Sequence, residues 1–544
     1  MRRRMTTAPT LAMALATALA LSGCGGESSA AGDPSDPGES AAGEPQSGGE
    51  LTVLQDAGFS GSWPTGLDPA TNLTGGANLD MNQAIFGGLF LLEADDDGSN
   101  ARIEPNQAES LELSDDGMTM TVTLREGIEF SDGTPLDAEA VVWNWERDLA
   151  STCACKPSWP LAGDPDDITA ADPLTVVVQF NEPFGAVEAN FPVSNVNWIA
   201  SPTAVQEQGE EDFAINPVGA GPFTVVSNQL NSELELVKNP NYFKEGLPHL
   251  DALTFQTIGG DQPAYQALMA GQAQAYIGLS TTPLLDQAEG NDQLQVTVQP
   301  ATSPYVIQLN TRTAPFDDER ARQAIYAATD WDAISTGLFQ GKYEVSQSFT
   351  APGGKFHEPE VDGYQGYDPE LAEQLVQEVG GIDITLGTTG VYVAEQVNTA
   401  LQTQWQEVGI TVKTESLPLS GVIDRFVTGN WTAMLQTAGA WDPAAGVGVS
   451  LRFDSESPFS GVTDPQLDEL LADASSAIDD DERGDLYQQA AGLLAANHYA
   501  PFGLAFAPAN VALENVHGPG LTTSIPALAV NTNPLWDRVW MTQD

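Results

Sequence analysis

Few residues in this chain are spaced for making or breaking bonds. The four histidines, His249, His357, His498 and His517, are scattered along the sequence. Metalloprotease, phosphate-loop and dinucleotide fingerprints are absent from the sequence. Gly58-Phe-Ser-Gly-Ser62 misses the nucleophile elbow, because its last position is Ser where the sharp turn needs Gly. Cys153 and Cys155 suggest a redox or metal pair. Two thiols without a nearby His do not complete a tetrahedral zinc site, and a disulfide between residues two apart is strained. A loop pair without catalytic purpose is expected there. With Asp+Glu at 76, neighbouring carboxylates arise by chance, so their abundance implies no paired-acid catalysis. The residues therefore point to a protein that is not an enzyme and has no metal site and no cofactor.

Cys24 is a different case. It follows a basic start, Met1-Arg-Arg-Arg4, and an apolar run from Leu11 to Leu21. That run is shorter than the about 20 residues that span a bilayer, and the pattern is that of a secretory signal. Leu21-Ser22-Gly23-Cys24 resembles a bacterial lipobox. The resemblance implies that Cys24 becomes the acylated N-terminus, held at the membrane by about 0.8 kcal/mol per buried CH₂. Residues 25–49 contain no Leu, Ile, Val, Met or aromatic residue, so they are expected to form an acidic tether. No later segment has 18 consecutive apolar residues.

The elements that must position any site lie beyond the tether. The 544 residues carry Lys+Arg 19 and a net charge of −57, which excludes a basic nucleic-acid surface. Hydrophobic residues make up 41% of the chain, enough for substantial cores. Met118, Met120, Val122 and Leu124 alternate with threonines, which predicts a half-buried strand. Thr134 with Asp137 resembles a capping box, ahead of a helix carrying Val141, Trp145 and Leu149. Ile382–Leu386, a helix over 395–408 stopped by Gly409, and Ile410–Thr414 form a βαβ unit, so a parallel sheet is predicted there. Asp368-Pro369 starts a further helix. Asp261 and Asp317 are expected to cap helices at 262–272 and 318–329.

Several segments together resemble the bacterial extracellular solute-binding proteins of family 5, the oligopeptide, dipeptide and nickel-type receptors of ABC importers. The strongest is the run from Ala108 through Gly117 and Met118–Gly127 to Ile128–Pro135, followed by Val141-Val-Trp-Asn-Trp-Glu-Arg147. Further matches are Asn216–Phe223, Leu236–Phe243, Pro315–Ala324 and Tyr367–Ala372. They run in the family's order over about residues 50 to 510.

The resemblance implies an α/β, two-lobed type II periplasmic-binding-protein fold with an extra subdomain on lobe I. Lobe I takes 50–80, 215–305 and 505–544, the extra subdomain 81–214, and lobe II 306–504. A peptide or other small solute is expected between closing lobes, with an ABC permease and ATPase as partners. A monomer is expected, attached to the membrane through its lipid alone. Phe59, Trp63, Tyr305, Asn310, Gln436, Trp441 and Asp442 are the candidate ligand contacts. Peptide-binding relatives carry a lobe II carboxylate for the α-ammonium, a few residues before an acidic-Pro pair. Matching that pair to Asp442-Pro443 puts Gly439 at the carboxylate's place, and leaves Asp442 a structural role or a substitute one. Arg425 and Arg452 are candidate carboxylate clamps. A nickel-type role would need His357 and His498, whose spacing does not support it. A sensor or adhesion lipoprotein of this fold and a secreted hydrolase are the competing readings; the latter needs a nucleophile–base pair.

Overall fold

The alternating run after Met118 forms the strand Thr119–Leu124, with Met120, Val122 and Leu124 buried. The computed structural model describes residues 43–543 except 59, 73–77, 152–158, 162, 163, 165, 446, 447, 508 and 529–532. That strand lies between Ala108–Leu113 and Thr175–Gln179 in an antiparallel four-stranded sheet completed by Ile168–Asp172. The helix Ala138–Ala150 packs on the sheet, and Trp145 meets Trp159 and Phe191 in their shared core. Asp137 itself caps this helix by accepting from the Ala140 amide at 2.9 Å. Thr134 takes no part, because its hydroxyl is turned to Asp132.

A seven-stranded sheet forms the first lobe. Its order is Leu294–Val298, Ala509–Leu513, Ala275–Leu279, Glu50–Asp56, Ala252–Ile258, Glu233–Lys238 and Phe223–Gln229. The second lobe is a five-stranded sheet ordered Thr411–Leu417, Asp383–Thr389, Ala433–Thr437, Pro304–Leu309 and Phe502–Ala505. The chain therefore crosses between lobes twice, after Val298 and after Ala505. Pro304, Tyr305 and Ala505 belong to the second sheet, one or two residues beyond the boundaries drawn from sequence. Met81, Ala84, Ile85 and Phe86 of the helix Leu79–Phe86, with Trp198 and Phe213, sit in the first lobe's core, within the stretch assigned to the subdomain. Gly48 donates to the His249 carbonyl at 2.8 Å, so the body begins before residue 50.

The βαβ unit is present. Asp383–Thr389 and Thr411–Leu417 pair in parallel, joined by the helix Tyr392–Glu407. Val397, Leu401 and Trp405 fall on one side of that helix and are buried against the sheet. Gly409, at φ 88°, ends the connection in a conformation that costs glycine little. Asp368 caps its helix at the Leu371 amide. The other two caps differ from expectation. Asp318, not Asp317, accepts from the Arg320 amide and starts Glu319–Ala327. Asp261 lies inside Asp261–Met269, whose N-cap is Gly260. Its carboxylate instead accepts from Tyr276, Ser280 and Thr281, which ties the helix to the strand Ala275–Leu279 and the turn after it.

Candidate functional site

The strands Glu50–Asp56 and Asp383–Thr389 run with their carboxyl ends toward the junction of the lobes. A β-carbon at Gly58, just past the first, would stand 3.8 Å from the Gly390 carbonyl oxygen, just past the second. In open α/β sheets, ligands bind in the crevice outside the carboxyl ends of strands, because loops and unpaired amides gather there. A third loop enters after Ala433–Thr437. Its Ala440 and Ala445 join the first lobe's core, and Trp441 packs half-buried against it. The loop is tied down by Ser303, whose hydroxyl donates to the Ala438 carbonyl at 2.9 Å. Lys355 donates its backbone amide to the Trp441 carbonyl at 2.7 Å, and its ammonium lies 5.9 Å from the Trp441 ring.

Gly439 lies at the turn of this loop with φ 102°, and a β-carbon there would overlap the Phe349 carbonyl oxygen. The position can carry no carboxylate in this backbone. Asp442 is buried and answered by cations: Arg483 at 3.2 Å and Lys355 at 3.7 Å. It also accepts from the Ala444 amide at 2.9 Å. Asp480 engages the same two cations, each at 2.6 Å. Charge, amide and burial all commit Asp442 to holding the loop.

Residues 102–458 match the family described as bacterial extracellular solute-binding proteins, family 5 Middle. The chain belongs to this family. It is similar to the glutathione-binding protein GsiB of Pectobacterium atrosepticum, 28% identical over 463 residues, covering 79% of this chain and 84% of that one. Among solved structures it resembles the periplasmic binding protein DppA of Helicobacter pylori in complex with the peptide STSA. The TM-score is 0.75 at 20% identity, over 92% of this chain and 99% of that one. The binding protein AgaA of A. tumefaciens R10, in complex with agropinic acid, gives a TM-score of 0.76 at 20% identity, over 91% and 99%. This family 5 protein is thus a substrate-binding receptor of the ABC-importer type that works outside the cytoplasm, and not an enzyme. Among the described residues, no helix is long and apolar enough to cross a membrane.

Within this family 5 receptor the candidate contacts separate. Trp441 and Asp442 come together at the cleft loop. Tyr305 sits at the first crossing, where its ring lies 6.3 Å from Phe506 and burial holds its hydroxyl well above the usual pKa. Gln436 is buried in its strand and donates to the Leu435 carbonyl at 2.7 Å. Asn310 lies past the other end of Pro304–Leu309, about 20 Å from Pro304 at the rise of an extended strand. Its amide donates to the Trp431 carbonyl at 3.0 Å and its oxygen accepts from the Arg312 amide. Trp63 has 0% exposure, and its indole N–H donates to Asn228 at 2.9 Å, so it is built into the first lobe's core. Phe59, Cys153, Cys155 and Cys24 lie outside the described residues.

Arg425 is paired with Glu415 at 2.7 Å. Burial depresses Arg452 to about 10, and its Nε has no hydrogen-bond partner among the described residues. His498 faces Glu319, and His357 lies near Glu344, so the two are not joined into one site. Among the described residues no group of three His, Cys, Asp or Glu could hold a metal ion.

Two residues that the sequence reading passed over also stand at the cleft end of the first strand. Gln55 and Asp80 are buried and bonded to each other, from the Gln55 Nε2 to the Asp80 Oδ2 at 3.1 Å. Their signal was present in the pattern. Gln55 continues the core-facing alternation of Leu51 and Val53, and Asp80 sits one turn before the buried Ala84. A polar residue at an apolar position of a periodic segment marks an exception that needs a reason.

Proposed function

We propose that this protein captures a peptide or peptide-like solute between its lobes and passes it to a membrane permease, anchored by the lipid on Cys24. The observation that carries this reading is the meeting of three loops at the carboxyl ends of Glu50–Asp56, Asp383–Thr389 and Ala433–Thr437. Each lobe contributes walls there, and the two crossings of the chain supply a hinge for closure. Trp441 provides an aromatic wall whose face is already approached by a cation. The likeness to glutathione- and peptide-binding relatives supports the substrate class. The receptor works as a monomer with a permease and an ATPase.

Native mass spectrometry of residues 43–544, followed by thermal shifts with glutathione, tripeptides, sugars, opines and metal chelates, tests the reading. A ligand bound by the folded state alone raises the melting temperature. Peptides, including glutathione, are expected to give the largest shifts. Shifts confined to sugars or chelates overturn the peptide assignment. Cys24→Ser is expected to release the protein from membranes, and continued extraction only by detergent contradicts the anchor.

A further inference from the structure

The first lobe holds a pair of acceptor oxygens at the point where its leading strand reaches the cleft. Gln55 is 0% exposed and Asp80 2%. Because Gln55 spends its Nε2 on the Asp80 Oδ2, its own Oε1 remains an acceptor. That Oε1 and the Asp80 Oδ1 are buried with no hydrogen-bond donor among the described residues. Burial raises the Asp80 carboxyl to about 8, opposed by the Gln55 amide alone. Among the described residues no cation pairs with it. An apolar ligand leaves this deficit as it is, and an anion worsens it. A primary ammonium supplies three N–H donors and a positive charge, which fits two touching acceptors, one of them acidic.

The pair is placed to meet a ligand. Asn78, just ahead of the helix Leu79–Phe86, donates to the carbonyls of Ser60 and Ser62 at 3.1 Å each. It thereby fastens the helix start to the loop that leaves Glu50–Asp56 and faces Gly390 of the second lobe. Leu79 and Met81, on either side of Asp80, belong to the same core cluster as Ala440 and Ala445 of the second lobe's loop. A hinge opening that carried that loop away with its lobe would uncover the side of the helix bearing Leu79 and Met81, which flank Asp80.

We propose that Asp80, braced by Gln55, receives the primary ammonium group of the ligand, on the wall opposite the one where Gly439 forbids a carboxylate. The proposal rests on the peptide-type reading for the identity of the ligand. The probes are trialanine, N-acetyl-trialanine and ethylammonium chloride, with the wild-type chain and Asp80→Asn. By calorimetry, trialanine is expected to bind the wild type at least 100-fold more tightly than its acetylated form, and Asp80→Asn to bind both at the weak level. Ethylammonium is expected to raise the wild-type melting temperature more than sodium at equal ionic strength, and to lose that advantage in Asp80→Asn. If acetylation costs no affinity, a comparison that needs no variant, or if Asp80→Asn binds trialanine within threefold of wild type, the Asp80 assignment falls while the receptor reading stands. If neither peptide binds but ethylammonium stabilises in an Asp80-dependent way, the peptide reading falls and the ammonium site stands. If the wild type responds to no probe, both fall.

Discussion

Asp442 and Asp80 are almost equally hidden, at 3% and 2% exposure, yet their surroundings differ in kind. Asp442, in the second lobe, meets two cations and a backbone amide. Asp80, in the first, meets one amide side chain. A buried charge is tolerated when it is paired, and it raises its pKa or waits for a partner when it is not. Asp442 is thereby scaffold, and Asp80 is a vacancy in the charge balance of the fold. Depth of burial alone does not distinguish these roles; the census of donors does.

The change that would most severely break the contrast is Gly439→Asp. If the second-lobe wall could host a carboxylate, this variant would fold normally and tighten peptide binding. The positive φ and the overlap with Phe349 lead us to expect a loss of about 3 kcal/mol in urea unfolding, with no gain in affinity. Next comes Asp442→Ala. Both its cations keep Asp480, so the loss is expected to be about 2 kcal/mol, below the 3–5 kcal/mol of a buried pair broken outright. Unchanged stability would move Asp442 out of the scaffold.

A smaller effect sharpens the Asp80 side. Its folded pKa, raised to about 8, exceeds its ordinary 3.8, so the folded state binds more protons than the unfolded state between these values. Stability from this group is therefore present at low pH and is lost as the pH rises toward 8. The melting temperature of Asp80→Asn minus that of wild type is expected to widen by about 2 °C between pH 5 and 8. Taking the difference cancels the raised Asp56 and Asp148 and the lowered histidines, which both proteins share. A flat difference would show Asp80 to be satisfied. Least disturbing to stability is Trp441→Ala. Affinity for the peptide giving the largest thermal shift is expected to fall about tenfold, the loss of one aromatic contact, with the melting temperature nearly unchanged. Equal affinity would remove Trp441 from the pocket wall.

The fold was largely legible in the sequence because periodicity and punctuation are local. The unit from Ile382 to Thr414 and the Asp368-Pro369 start needed no tertiary information. The site was less legible. Tyr305 lies near the start of the strand Pro304–Leu309 and Asn310 just past its end, and nothing in six consecutive residues tells which end meets the other lobe. Trp63 sits in a Gly-Ser-Pro loop that suggests a surface, but Asn228 and Asn231, far along the chain, close over it. Asp317 and Asp318 offer the same carboxylate one residue apart, and the backbone angle selected the second. Asp80 escaped notice because a chain with so many acids makes any single one unremarkable until its neighbours are known.

The first lobe's sheet has an order that matters during synthesis. Among the described residues, Leu294–Val298 is joined to the other strands only through Ala509–Leu513, which slots between it and Ala275–Leu279. A ribosome must therefore deliver almost the whole polypeptide before that half can close, and the other half, which waits for Phe502–Ala505, is complete only shortly before. Completion this late leaves the first lobe's sheet open for most of synthesis, and pairings between residues so distant in sequence form slowly.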